Sequence, residues 1–544
     1  MSQTQKEIAI IVGEASTTKI FFACQTENYP VKWEYITFAI PEQVPDSGIS
    51  KVDVLAQVEG VYSVSEIITK STALEAVRKI IANNLANVKT WGEAQVLGYK
   101  HPKSKRVVLP RKAAIPGSAI YLASDEFLQQ FFTFPEKNAL NVGNLISRQK
   151  VPVSLNIEGL NRHLAILAQT GAGKSYTTGV LLEELLEKGA TVVVLDPHSD
   201  YVYLSNLEKG CDLKFADRIK IYRNPQSTHR YDESKVKSLE NYQIKFSDLK
   251  TEDIFSIMRV PETATRIKEV FYKVFDKLEK SPKKDSYTPS DLAQEIEAIA
   301  NAEAGEKTEK EDKVAAKDAR KYLRGLKNSK VFGSANVAVE KFLAPVSVSV
   351  LDLSGLDDKT MDVLAYLLID DIYSQVKDLH TKYPVFLIIE EAHKFVPEKR
   401  ETKSARIINT IAAEGRKFGM FLTLITQRPS KIHSDTLSQC NSQIIMKITN
   451  PLDQKAIENS SERMSKELLQ DLPGLNPGEA VIVGTVTQIP VMVTIRGRKT
   501  MEGGSDLKIL ELLDMALKDV KDEKDKAKLQ GNIKPLEGGT FSDV

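Results

Sequence analysis

The stretch 164–178, LAILAQTGAGKSYTT, limits what this chain can fold into more than any other part of it. A short apolar strand runs into two glycines, a lysine and a serine, and the residues that follow, KSYTTGVLLEELLEKG, read as a helix. The spacing is that of the phosphate-binding loop G-x-x-x-x-G-K-[ST], except that Ala168 occupies the first position. Such a loop needs a buried strand before it and a helix after it, because its N–H groups must converge at a helix N-terminus, where anions are favoured. The N–H groups of Gly171 to Lys174 would face a β-phosphate. Lys174 would reach the β- and γ-phosphates from a solvent-facing loop, and Ser175 would ligate Mg²⁺. The nucleotide-binding set is Thr170, Gly171, Ala172, Gly173, Lys174, Ser175 and Tyr176. Ala168 asks only for an unstrained backbone at the strand exit. Tyr176 stands where a dinucleotide fingerprint needs its third glycine, so that rival is excluded.

A second cluster follows in VFLIIEEAH, a buried strand ending in Glu390 and Glu391. Two carboxylates there are costly unless a cation or a water uses them, and ligands of a parallel sheet bind at that edge. Glu390 is assigned to the metal side and Glu391 to the attacking water. His393 has no metal-site spacing and reads as structural. In AAEGRKFGMFLTLITQRPS, Gln427 leaves the strand beside the acidic one and could sense a γ-phosphate. Arg416 sits at a helix end, where either a macrodipole role or a catalytic one suits it.

The rest of the chain divides around these motifs. Residues 1 to about 140 carry short alternating runs such as KVDVLAQVEG, which suggest a small barrel or sandwich, interrupted by one helix near 72–84. From about 150, strands alternate with helices, implying a parallel sheet covered on both faces. A helical insert lies between, with Ile267, Val270, Phe271, Val274 and Leu278 on one face. Within it, Thr288, Pro289 and Asp291 spell a helix start. The charge run from Ala304 to Leu326 reads as a solvated helix face. Beyond about 505 come one amphipathic helix and a tail.

With 74 basic and 73 acidic residues the net charge is +1, so nucleic acid could be held only through local basic patches. Lys399, Arg400 and Lys403, in PEKRETKSAR, are the candidate DNA contacts. Cys24, Cys211 and Cys440 make neither a metal spacing nor a disulfide framework, and no apolar run approaches 18 residues. A cytoplasmic protein without a membrane anchor is expected.

Five segments in order, AQTGAGKSYTT, VVVLDPHSDY, FLIIEEAHKFVP, EGRKFGMFLTLITQRPSKI and LPGLNPGEAVIVG, together resemble the HerA ATPases of archaea, in the HerA–FtsK branch of RecA-like motors. The resemblance covers nearly the whole chain. It implies an α/β fold: a RecA-like parallel-sheet P-loop ATPase core with an N-terminal β-barrel and a helical insert. The expected divisions are 1–145 for the barrel, 146–224 with 341–500 for the core, 225–340 for the insert, and 501–544 for an extension bracing a neighbouring subunit. It further implies a homohexamer with ATP and Mg²⁺ between subunits, translocation on double-stranded DNA, and work with a NurA-type nuclease in DNA end resection. By motif, Arg416 matches an arginine finger reaching the neighbour's ATP, Arg162 another arginine acting across the interface, and Asp196 an acidic position near the phosphates. The alternative is an ATP-gated scaffold, or a related motor for another cargo of the conjugation or export type.

Overall fold

The computed structural model describes residues 6–44, 48–227, 231–302, 310–327, 329–334, 338–379, 381–461, 463–503 and 509–531. The N-terminal strands close on themselves. Lys19–Cys24, Glu7–Ala15, Ala119–Leu122, Tyr35–Val44, Gly48–Ser65 and Val88–Lys100 form a six-stranded antiparallel barrel, closed because Lys19–Cys24 also pairs with Val88–Lys100. The alternation in KVDVLAQVEG explains the closure: Val52, Val54, Ala56 and Val58 all point into the barrel core with Phe22, Phe38 and Ile120. The expected helix is Leu74–Ala82, and it buries none of its residues.

The second body is one twelve-stranded sheet. Its order is Leu239–Asn241, Ile219–Arg223, Ser347–Asp352, Thr191–Asp196, Val385–Ile389, Met420–Thr426, Leu164–Leu167, Ser442–Ile445, Glu479–Val483, Val491–Ile495, Ala139–Leu145, Pro152–Asn156. The first eight strands are parallel and the last four antiparallel. The parallel strands read as continuous apolar runs because helices cover both faces: all four residues of Leu164–Leu167 and all five of Val385–Ile389 are buried. One strand, Met420–Thr426, separates the phosphate-loop strand from the acidic strand, the arrangement of a RecA-like core.

Two expected boundaries move. The strand Ala139–Leu145 belongs to the large sheet, pairing with Val491–Ile495, rather than closing the barrel. Its alternation suits either antiparallel setting, so the sequence pattern alone does not distinguish them. Likewise Leu239–Asn241, inside the span expected for the insert, extends the core sheet. A short parallel ladder, Ile244–Lys245 with Phe332–Gly333, clamps the two ends of the helical excursion between them. Within that excursion Thr265–Glu279 buries Val270, Phe271, Val274, Phe275 and Leu278. Pro289–Asn301 starts with the reciprocal Thr288/Asp291 capping box that the sequence spells. The charged helix Lys310–Lys327 keeps an alanine and leucine face, Ala315, Ala316, Ala319, Leu323 and Leu326, against the core. Residues 304–309 of the charge run lie outside the described residues.

Candidate active site at the carboxyl edge of the sheet

Four neighbouring strands deliver the candidate residues to one edge. The glycine loop leaves Leu164–Leu167, Asp196 ends Thr191–Asp196, Glu390 and Glu391 follow Val385–Ile389, and Gln427 follows Met420–Thr426. The loop takes the conformation its sequence requires. Gly171 and Gly173 lie at φ +76° and +99°, where a side chain would be strained, and nothing lies within 4 Å of a Cβ built on Gly171. Ala168 is absent from the positive-φ residues, so its methyl group costs the loop nothing. The helix Lys174–Glu187 starts without any side-chain cap, leaving its first N–H groups free of side-chain acceptors.

Lys174 is not solvent-facing. Its ammonium is buried, bonded to Glu390 and at 3.0 Å to Glu391 Oε1. Glu390 is fully buried and also accepts a hydrogen bond from the Tyr201 hydroxyl at 3.2 Å. Burial raises the Glu390 carboxyl to about 7 against the opposing pull of Lys174. Burial would also raise Glu391, but the His393 and Lys174 contacts outweigh it and bring its carboxyl to about 2. Lys174 itself would be lowered by burial, yet the two glutamates hold it above its usual range. Glu391 has φ +50°, an uncommon backbone conformation for such a residue, held by the neighbours of its side chain. Gln427 donates to Glu391 Oε1 at 2.7 Å and accepts from the Thr170 hydroxyl. It thus bridges the phosphate loop and the second glutamate. His393, read from the sequence as structural, stands 3.1 Å from Glu391 Oε2 and 3.0 Å from the Thr426 hydroxyl.

The acidic side chain that meets Ser175 is that of Asp200, whereas Asp196 is turned to the backbone. Asp196 is fully buried and spends its oxygens on the N–H groups of His198, Asp200 and Tyr201, which fixes the turn after its strand. Asp200, four residues on, accepts a hydrogen bond from Ser175 Oγ at 2.7 Å. The sequence missed it because only the turn that Asp196 organises brings residue 200 back over the loop. Tyr176 turns toward the C-terminal strands, where its hydroxyl accepts a hydrogen bond from Arg498 N at 2.9 Å.

The remaining candidates lie apart. Arg162 and Arg416 are exposed at the amino ends of adjacent strands, at the opposite edge from the loop, so neither reaches the phosphate site of its own chain. Between them, His163 is buried at φ +60°. Its Nδ1 accepts from Leu422 N at 2.9 Å and its Nε2 lies 3.1 Å from the Ala412 carbonyl, which makes it a neutral ring with the proton on Nε2. Burial lowers its pKa to about 4, with the nearby Arg416 charge adding to the fall. The folded state therefore takes up this proton less readily than the unfolded chain. The resulting stability is complete above the free-histidine value of about 6.5 and is lost as the pH falls toward 4. A loss of up to about 3 kcal/mol is expected across that window. Urea unfolding of wild type and His163→Gln at several pH values checks this, because the variant should lack that part of the pH dependence.

Lys399 and Arg400 are exposed on the loop after the acidic strand. Lys403, by contrast, has its ammonium paired with the buried carboxylate of Asp253, on the helix Thr251–Met258 of the insert. Among the described residues no helix is long and apolar enough to cross a membrane.

Residues 140–372 match the family model described as "Helicase HerA, central domain". A protein of Pyrococcus furiosus named DNA double-strand break repair helicase HerA is 31% identical over 73% of this chain and 77% of its own length. The chain belongs to the HerA helicase family. A HerA relative of the same name from Saccharolobus solfataricus is 30% identical over 71% of this chain and 74% of its own. Among solved structures, VirB4 of Thermoanaerobacter pseudethanolicus is similar with a TM-score of 0.44 and 15% identity, over 67% of this chain and 98% of that one.

The side chains of this HerA-family site suit a magnesium nucleotide. Among the described residues no group of three or more histidine, cysteine or acidic side chains could hold a metal by itself. Mg²⁺ does not ask for one, because it keeps waters and takes one or two protein oxygens beside substrate phosphates. Ser175 would offer one such oxygen next to the open glycine loop, with the Glu390 and Asp200 carboxylates placed to accept from the ion's waters.

Proposed function

We propose that this chain is an ATP-driven translocase and helicase on double-stranded DNA, acting as a homohexamer with a NurA-type nuclease in the resection of DNA ends. The observation that carries the ATPase part is the convergence of Lys174, Glu390, Glu391 and Gln427 at the open glycine loop. Lys174 is the ammonium for the β- and γ-phosphates. A bound nucleotide competes with the two glutamates for it, so phosphate binding frees Glu391 to face a water. Mg²⁺, held by Ser175 with Glu390 and Asp200 behind its waters, would neutralise charge on the β- and γ-phosphates. Gln427, linked to both the loop and Glu391, is suited to report whether a γ-phosphate is present.

The ring reading draws on what the single chain leaves unused. Arg162 and Arg416 are exposed at the sheet edge opposite their own phosphate loop, as residues serving a neighbour's nucleotide would be. On the C-terminal helix Ile509–Gly531, Leu510, Leu513, Leu517 and Val520 form an exposed apolar stripe at helical spacing, suited to bracing an adjacent subunit. DNA as the cargo is supported by the family and by the names its relatives carry. Lys399 and Arg400 remain the contacts offered to it, on a loop at the same edge as the ATP site. For the nuclease, the N-terminal domain offers exposed apolar side chains on and beside its helix, Ile67, Leu74, Ile81, Leu85 and Val88.

The two glutamates separate in experiment. Glu391→Gln should keep ATP bound while nearly stopping hydrolysis, whereas Glu390→Gln should also weaken the Mg²⁺ dependence. Nucleotide affinity and rate measured against Mg²⁺ concentration test this. Equal loss of affinity in both variants would contradict the division of roles.

A further inference from the structure

We infer that His163 is a positioning residue for Arg416: the ring clamps the helical turn from which that arginine projects. This rests on the reading of Arg416 as the residue that acts on a neighbour's nucleotide. Arg416 lies in the last turn of the helix Lys403–Phe418, and an exposed arginine at a helix end would ordinarily be loosely held. Three contacts prevent that here. In the α-helix, the Ala412 carbonyl receives the backbone N–H of the residue four positions on, which is Arg416. The same carbonyl is the acceptor of His163 Nε2–H, at 3.1 Å. At the other nitrogen, Nδ1 takes the N–H of Leu422 in the strand Met420–Thr426, at 2.9 Å. One buried ring thus ties the Arg416 turn to the strand that leads into Gln427 and to the backbone that enters the phosphate-loop strand.

The surrounding backbone holds the same turn from the other side. A Cβ on Gly415 would meet the Met420 carbonyl at 2.8 Å and Ile411 Cγ2 at 2.9 Å, so the helix end lies directly on the strand only because residue 415 is glycine. Gly419, at φ +84°, closes the helix with its N–H on the Gly415 carbonyl and reverses the chain at once into that strand. His163 itself sits at φ +60°, a conformation disfavoured for its side chain and paid for by the two bonds it makes. Arg162, the other outward arginine, is its immediate neighbour, so both arginines project from one clamped unit.

The ring's two bonds can be removed one at a time. In His163→Asn the amide oxygen stands near the place of Nδ1 and keeps the Leu422 bond, but nothing reaches Ala412. In His163→Gln the amide nitrogen reaches the place of Nε2 and keeps the Ala412 bond. We expect His163→Asn to lower kcat for ATP about 10- to 100-fold, with KM and assembly mass unchanged, because the arginine is misplaced while nucleotide binding in the same chain is intact. His163→Gln should stay within a few-fold of wild type. In an Arg416→Ala background, His163→Asn should add no further loss to the residual rate, since both changes remove one function. A His163→Asn protein with wild-type kcat, or losses that multiply with those of Arg416→Ala, would overturn the clamp and leave the role of Arg416 standing. If Arg416→Ala alone leaves turnover unchanged, the reading beneath the clamp is wrong and the clamp goes with it. Should His163→Asn fail to fold, the glutamine variant carries the test: a folded His163→Gln protein with the full loss of turnover overturns the proposal.

Discussion

Lys174→Ala is expected to abolish ATP turnover. Among the described residues no other cation lies within the loop to neutralise the β- and γ-phosphates, and positioning with charge stabilisation supplies most of the catalysis in this chemistry. The structure adds a second expected effect. Lys174 is buried between Glu390 and Glu391, so its removal leaves two buried carboxylates without their cation. Breaking a buried pair from one side costs about 3–5 kcal/mol when the remaining charge persists. Glu390, already raised to about 7, escapes much of that cost by binding a proton. The variant should therefore be folded but less stable at high pH than near neutrality, because proton uptake by Glu390 becomes harder as the pH rises. ATPase rates with thermal unfolding at two pH values check both effects. Turnover within about threefold of wild type would contradict the assignment.

Arg416→Ala is expected to lose about 10³ to 10⁵ in rate, the usual worth of an arginine supplied to a neighbour's phosphoryl transfer. ATP affinity should change far less, since such an arginine acts mainly on charge developing in the transition state. Mixing Arg416→Ala subunits with Lys174→Ala subunits should then restore activity. Where a Lys174→Ala chain lends its intact Arg416 to a neighbour with an intact Lys174, one complete site is rebuilt. Two inactive proteins that regain ATPase on mixing would establish composite sites. Continued inactivity, with subunit exchange demonstrated separately, would return Arg416 to the role of a helix-end charge.

What could be read from the sequence was what local chemistry decides. The Thr288–Pro289–Asp291 start and the glycine loop are complete within a few residues, and both stand as their spacing implies. The acidic strand and the strand of Gln427 were legible because buried parallel strands are continuous apolar runs ended by polar residues. The misses all depend on partners distant in sequence. Lys403 seemed a free cation until folding brought Asp253, 150 residues away, against it. Lys174 is buried by carboxylates 216 and 217 residues on. His163 acquires its meaning from Ala412 and Leu422, 249 and 259 residues later. Asp196 was named by the motif resemblance, yet the turn it holds is what carries Asp200 to Ser175.

The central claim is that ATP hydrolysis at this site drives movement on duplex DNA. Its most direct test is the steady-state ATPase rate of the purified protein with and without double-stranded DNA, with the assembly mass measured in the same solution. A strong stimulation by duplex DNA in a particle of six subunits is the expected result. An ATPase indifferent to DNA would contradict the claim, and would make the protein a nucleotide-gated scaffold or a motor for another cargo.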